Sequence, residues 1–134
     1  MIEVYIDGAS AGDPGQSGAG IFIKNNGDNY SYSIPLGMKE NHEAEFLACI
    51  KALQICKEKN YSVLSFRSDS QAVVNAVEKE FAKNKKYRPL LEQILLLSKE
   101  FDLFFIKWIP SKENKRADEL ARKAIHLNIE DPDE

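Results

Sequence analysis

The chain has 134 residues, 43% of them hydrophobic and 29% charged, and a net charge of −3. That is the length and composition of one soluble globular domain, large enough to bury a core without disulfide or metal staples. The negative balance excludes a globally basic protein that grips polyanions by charge alone. No apolar run is long enough to span a bilayer. The start, MIEVYID, has neither a basic region nor an apolar signal segment. A cytoplasmic monomer with no membrane partner is expected.

Residues 2–7 alternate. Ile2, Val4 and Ile6 share one face and Glu3, Tyr5 and Asp7 the other, which predicts a strand. Residues 19–24 and 30–35 predict two more, with NNGDN as the turn between them. Three short strands in succession read as an antiparallel meander. The pattern then changes. From Asn41, NHEAEFLACIKALQICKEK is rich in Ala and Leu and free of Pro and Gly, so it predicts a helix with Asn41 as N-cap. Cys49 and Cys56 lie in this apolar stretch without zinc-type spacing and read as buried free thiols. A strand over 62–69 follows, then helices over 70–81 and 87–100 with the basic stretch KNKKYRP between them. A strand over 103–109 is stopped by Pro110, and a helix over 114–127 closes the chain. Strands separated by helices pair in parallel through right-handed crossovers. The fold class is therefore α/β: a five-stranded mixed sheet, three strands antiparallel and two parallel, with helices on both faces. One domain is expected over 1–128, with a frayed acidic tail over 129–134.

The acids are the informative residues. Asp7 ends an apolar strand. On the first helix, Glu43 falls with Lys51, Gln54 and Glu58 on a polar stripe, whereas Glu45 falls opposite it, beside Cys49, Ala52 and Cys56. A carboxylate aimed inward needs a partner, and an internal ion pair to Lys or Arg would serve. Asp69 ends the fourth strand and reads equally as a helix N-cap. Asp118 sits at the edge of the closing helix's apolar arc, and an acid in a first helical turn also complements the helix dipole. Glu119 lies on the polar side with Lys123 and His126. If the first and fourth strands are neighbours, Asp7 and Asp69 meet at the strand ends where α/β folds place ligand sites. Four converging carboxylates repel one another, and hard divalent cations relieve that repulsion because they take oxygen ligands.

These segments resemble the type 1 ribonuclease H family along almost the whole chain, from Ile2 to about Leu127. DGASAGDPGQSGAG resembles the family's first strand and turn, and ENHEAEF resembles its TNNxAEY helix start. SDSQAVV resembles TDSxxVV, and NKRADELA resembles NxxADxLA. The resemblance implies an endonuclease that cuts the RNA strand of an RNA–DNA hybrid and leaves 3′-hydroxyl and 5′-phosphate ends. It implies two Mg2+ or Mn2+ ions held by the catalytic acids Asp7, Glu45, Asp69 and Asp118. Asp7 would lie between the ions, Glu45 and Asp69 on one, Asp118 on the other. It also implies substrate contacts at Gly8, Ala9, Ser10, Asp13, Asn41 and His42, with backbone N–H groups around Gly8 to Ser10 facing the RNA strand.

The chain departs from the family pattern in places. Asp13 stands where the family often has Asn, and an ionised Asp accepts hydrogen bonds but cannot donate them. His42 replaces the second Asn of the helix start. The loop before the last acid is the short PSKEN, with Lys112 and no His, as in some bacterial and archaeal relatives; Lys112 or Arg116 is placed to meet phosphate. Lys83, Lys85, Lys86 and Arg88 around Tyr87 lie where some members carry a basic substrate-binding protrusion. These departures leave a second reading open: a weakly active or inactive relative that binds nucleic acid or a protein. A resolvase or exonuclease on the same fold fits less well, because AEF and ADELA match type 1 details.

Overall fold

The computed structural model describes residues 1–129. The strands are β1 (Ile2–Ser10), β2 (Gly15–Asn25), β3 (Asp28–Lys39), β4 (Val63–Ser68) and β5 (Leu103–Trp108); the helices are α1 (Asn41–Glu58), α2 (Gln71–Lys79), α3 (Arg88–Ser98) and α4 (Lys115–Ile129). Short 3-10 turns, Lys85–Tyr87 and Ser111–Glu113, precede α3 and α4. The sheet order is β3-β2-β1-β4-β5. The first three strands pair antiparallel, while β4 joins β1 and β5 joins β4 in parallel. This is the mixed sheet expected from the element order.

The boundaries move for physical reasons. The three meander strands are longer than alternation suggested, because glycine and serine pairs such as Ala9 with Gly18 and Ser10 with Ser17 carry the ladder past the apolar residues. Asn26 and Gly27 both take positive φ, the geometry a two-residue hairpin requires. The N-cap of α1 is Glu40, not Asn41, which is already helical; Glu43 Oε1 accepts the Glu40 N–H at 3.3 Å. The helix predicted over 70–81 starts after Ser70, whose hydroxyl caps it by accepting the Val73 N–H at 3.2 Å. Asp69 is therefore not the cap. The α4 helix runs through Ile129, and the rest of the predicted tail, 130–134, lies outside the described residues.

One sheet face carries the main core. Val4, Ile6, Ile21, Ile23, Leu64 and Phe66 pack against Phe46, Cys49 and Leu53 of α1, with Val73 of α2 and Ile94 of α3 closing the sides. Cys49 and Cys56 are buried free thiols, and burial pushes Cys56 up to about 12. On the other face α4 lies over β1, β2 and β3, presenting Ala117, Ala121 and Ala124. Among the described residues no helix is long and apolar enough to cross a membrane.

Two close approaches set the positions of α1 and α4. A Cβ on Gly8 would overlap the Ala44 carbonyl of α1, and one on Gly20 would overlap the Ala117 carbonyl of α4. Both obstacles are backbone and cannot swing aside. Gly20→Ala is expected to lower stability by about 1–3 kcal/mol, the usual cost of overpacking, as read from chemical denaturation. An unchanged midpoint would show that α4 does not rest on the sheet there.

Candidate active site

Parallel pairing aligns Ile6 with Ser68, so Asp7 and Asp69 follow side by side at the ends of β1 and β4. Asp7 pairs with Gly20 and shares its face with α4, from which Asp118 reaches it to share a hydrogen bond. Glu45 arrives on the first turns of α1, brought close by the contact at Gly8. All four acids line one cavity of about 660 Å3, with Gly8, Ala9, Ser10 and Asn41 on the same wall. Past Ile6, β1 has no partner on the β4 side. Backbone N–H groups of residues 7–10 that do not point at β2 therefore face away from it, toward the open side.

Each acid is held by a different group. Ser70 donates from its hydroxyl to Glu45 Oε1 at 2.9 Å, and His42 Nδ1 lies 3.0 Å from the same oxygen. Among the described residues Glu45 thus has no Lys or Arg partner; a hydroxyl and an imidazole take that role. The Arg122 Nε–H donates to both Asp118 oxygens, at 3.1 and 3.0 Å. The Asp69 carbonyl accepts the indole N–H of Trp108 at 3.2 Å. Asn114, fully buried, donates from its side-chain amide to the Ile6 carbonyl at 2.9 Å, and its backbone carbonyl accepts the Asp118 N–H at 3.1 Å. That pair of bonds ties the start of α4 to the residue before Asp7.

Burial, then the charges of Asp69 and Asp118, raise Asp7 from 3.8 to about 9, so it carries a proton at neutral pH. An all-oxygen donor set of this kind fits a hard divalent cation, whose charge would displace that proton. Among the described residues no three acids, imidazoles or thiols stand close enough together to chelate an ion as they are. Asp118 is held by Arg122, and Glu45 by Ser70 and His42.

Other predicted residues fall outside this cavity. The Asp13 carboxylate accepts the Asn41 N–H at 2.9 Å and so docks the first turn onto the start of α1. His42 lines a neighbouring groove with Phe46, Phe81, Lys83 and Tyr87. Lys112 is exposed on the 3-10 turn before α4. Arg116 pairs with Glu119 at 3.4 Å and donates to Ser31. Of the basic stretch, Lys86 is committed to Glu40 at 2.6 Å, and Arg88 donates to the Ala82 carbonyl and lies over the Phe81 ring. Lys83 and Lys85 keep their charges exposed. Lys115, Arg122 and His126 also line the acidic cavity; of these, only His126 carries an expectation from sequence, on the polar side of the closing helix. Their signal was spacing: positions 115, 118, 122 and 126 recur every three or four residues along one helix face.

Comparison with known proteins places these features in a family. The family model described as reverse transcriptase-like matches residues 5–124. The "Putative hydrolase EbsB" of Enterococcus faecalis is 43% identical over 93% of this chain and 94% of its own length. A protein named ribonuclease H from Desulforamulus reducens is 35% identical over 90% of this chain and 84% of its own. The crystal structure of ribonuclease H1 from the archaeon Halobacterium salinarum superposes with a TM-score of 0.88 at 29% identity, over 94% of this chain and 98% of that one. LC11-RNase H1, solved in complex with RNA/DNA hybrid, does so with a TM-score of 0.88 at 26% identity, over 96% and 99%.

Asp7 gives a pH dependence with a definite sign. Between its unfolded value of 3.8 and its folded value of about 9, the folded chain holds a proton that the unfolded chain has released. Stability of the metal-free protein therefore falls as pH rises through that window. Asp7→Asn removes the titrating group. Its melting temperature is expected to match wild type near pH 4 and to exceed it increasingly toward pH 9. A constant offset across that range would refute the raised value.

Proposed function

This chain belongs to the ribonuclease H family, and on that premise we propose that it is a divalent-cation-dependent endonuclease for the RNA strand of RNA–DNA hybrids. The observation that carries the reading is the convergence of Asp7, Glu45, Asp69 and Asp118 on one cavity, with Asp7 raised by the other acids as well as by burial. Relatives named ribonuclease H and the hybrid-bound LC11-RNase H1 support the substrate.

The four carboxylates would hold two Mg2+ or Mn2+ ions. Bound there, such ions supply activation of a water molecule and charge stabilisation on the leaving oxygen, giving 3′-hydroxyl and 5′-phosphate ends. The chain's own residues orient the donors. Ser70 and His42 set the rotamer of Glu45, Asn114 holds Asp118 against the end of β1, and Trp108 holds the backbone of Asp69. Backbone N–H groups on the Gly8 to Ser10 wall are placed to read the RNA strand, whose 2′-hydroxyls distinguish it from DNA. The Asp13 carboxylate accepts the Asn41 N–H at the N-terminus of α1, where the helix dipole favours its charge.

The test is cleavage of an end-labelled RNA–DNA hybrid with Mg2+ and, separately, Mn2+, beside Asp69→Asn. Asp69 is not a helix cap, so the variant is expected to keep the wild-type circular dichroism spectrum and to melt no lower than wild type while losing cleavage at least a thousandfold, more than one lost oxyanion contact removes. Full activity in the variant would eliminate the carboxylate assignment. No cleavage by wild type with either ion would turn the reading toward a binding protein.

A further inference from the structure

The cavity has an acidic floor and a cationic wall, and the catalytic reading uses only the floor. The wall belongs to α4. Lys115, Arg122 and His126 lie along one face of that helix together with Asp118. The other cations of α4 have different settings: Arg116 is paired with Glu119 and Ser31, and Lys123 is exposed outside the cavity lining. Lys115 is exposed and has no acidic partner among the described residues. Among the described residues Arg122 is paired with Asp118 alone, through an exposed contact four residues apart, the kind that is weak in water.

We propose that Lys115 and Arg122 form a phosphate-binding ledge that holds the backbone of the nucleic acid beside the carboxylates. Seven residues apart, they are separated by about 10 Å along the helix axis. That is too far to clamp one phosphate together and suited to separate phosphates of one strand. The ledge also answers an electrostatic problem. A chain of net charge −3 with four acids in its cavity repels a polyanion, and attraction must come from cations placed locally. Arg122 holds the Asp118 carboxylate through Nε, and the rest of its guanidinium presents donors suited to a phosphate. The ledge rests on the hybrid nuclease reading.

The test measures hybrid binding and not cleavage. In an Asp69→Asn background with Mg2+ present, fluorescence anisotropy of a labelled RNA–DNA hybrid is titrated over a range of KCl concentrations. Each lost phosphate contact lowers the slope of log Kd against log salt by roughly 0.7–0.9. Lys115→Ala and Arg122→Ala are each expected to lower it by about that amount, and the pair by twice that. Arg122→Lys keeps the charge and is expected to retain the parent slope, and Lys123→Ala, off the ledge, to leave it unchanged. Melting curves confirm that each variant is folded. Weaker binding at an unchanged slope, or an equal loss from Lys123→Ala, would overturn the ledge and leave the nuclease reading standing. A parent that binds no hybrid at any salt concentration would overturn both.

Discussion

Asp7 meets a carboxylate from α4 because Gly20, its neighbour across β2, has no side chain. A methyl group there would run into the backbone of α4 at Ala117, one residue before Asp118. Gly8 plays the same part on the opposite face, where the backbone of α1 lies against the sheet at Ala44, one residue before Glu45. The two helices therefore rest on the sheet at backbone distance, and each carries its acid in the next position. Ordinary side chains at these glycines would lift the helices away and separate the acids from the strand ends. The alanines of α4 serve the same close packing, since only small residues allow a helix so near a sheet.

Crowding acids in this way has a cost, and the structure offsets it differently at each one. Asp7 keeps its proton. Glu45 is satisfied by a hydroxyl and an imidazole, and Asp118 by a guanidinium. All three arrangements can be reversed. A proton can leave, and an exposed Asp–Arg pair opens cheaply. An inward lysine bound to Glu45 would instead have been a permanent neutraliser. The groups that hold the backbone, Asn114 on the Ile6 carbonyl and Trp108 on the Asp69 carbonyl, bind no carboxylate oxygen and leave all of them available.

Much of the site was legible in the sequence, for reasons that differ by residue. Glu45 was separable from Glu43 because a helix has a definite period, and only one of the two acids falls on the apolar side. The fourth strand and the capped helix after it were visible, but Asp69 and Ser70 are both good N-caps. Only the hydrogen bond from the Val73 N–H shows that the serine holds the post and leaves the aspartate free. The role of Asp13 was not legible at all, because its partner is a backbone N–H at Asn41, a long way along the chain. The cations of α4 were visible as charges, yet their side of the helix was ambiguous until Asp118 was seen to face the cavity.

By itself the sequence determined the elements, their order, the apolar faces and the family motifs, because these rest on local periodicity, turn chemistry and the types of neighbouring residues. It also named the four acids. Only the tertiary structure decided that Ile6 and Ser68 are in register, that α4 crosses β2 at a glycine, and that Arg122 rather than Arg116 turns toward the acids. Those outcomes depend on contacts between residues far apart in the chain, where the fit of one backbone against another selects the arrangement and no local preference records it.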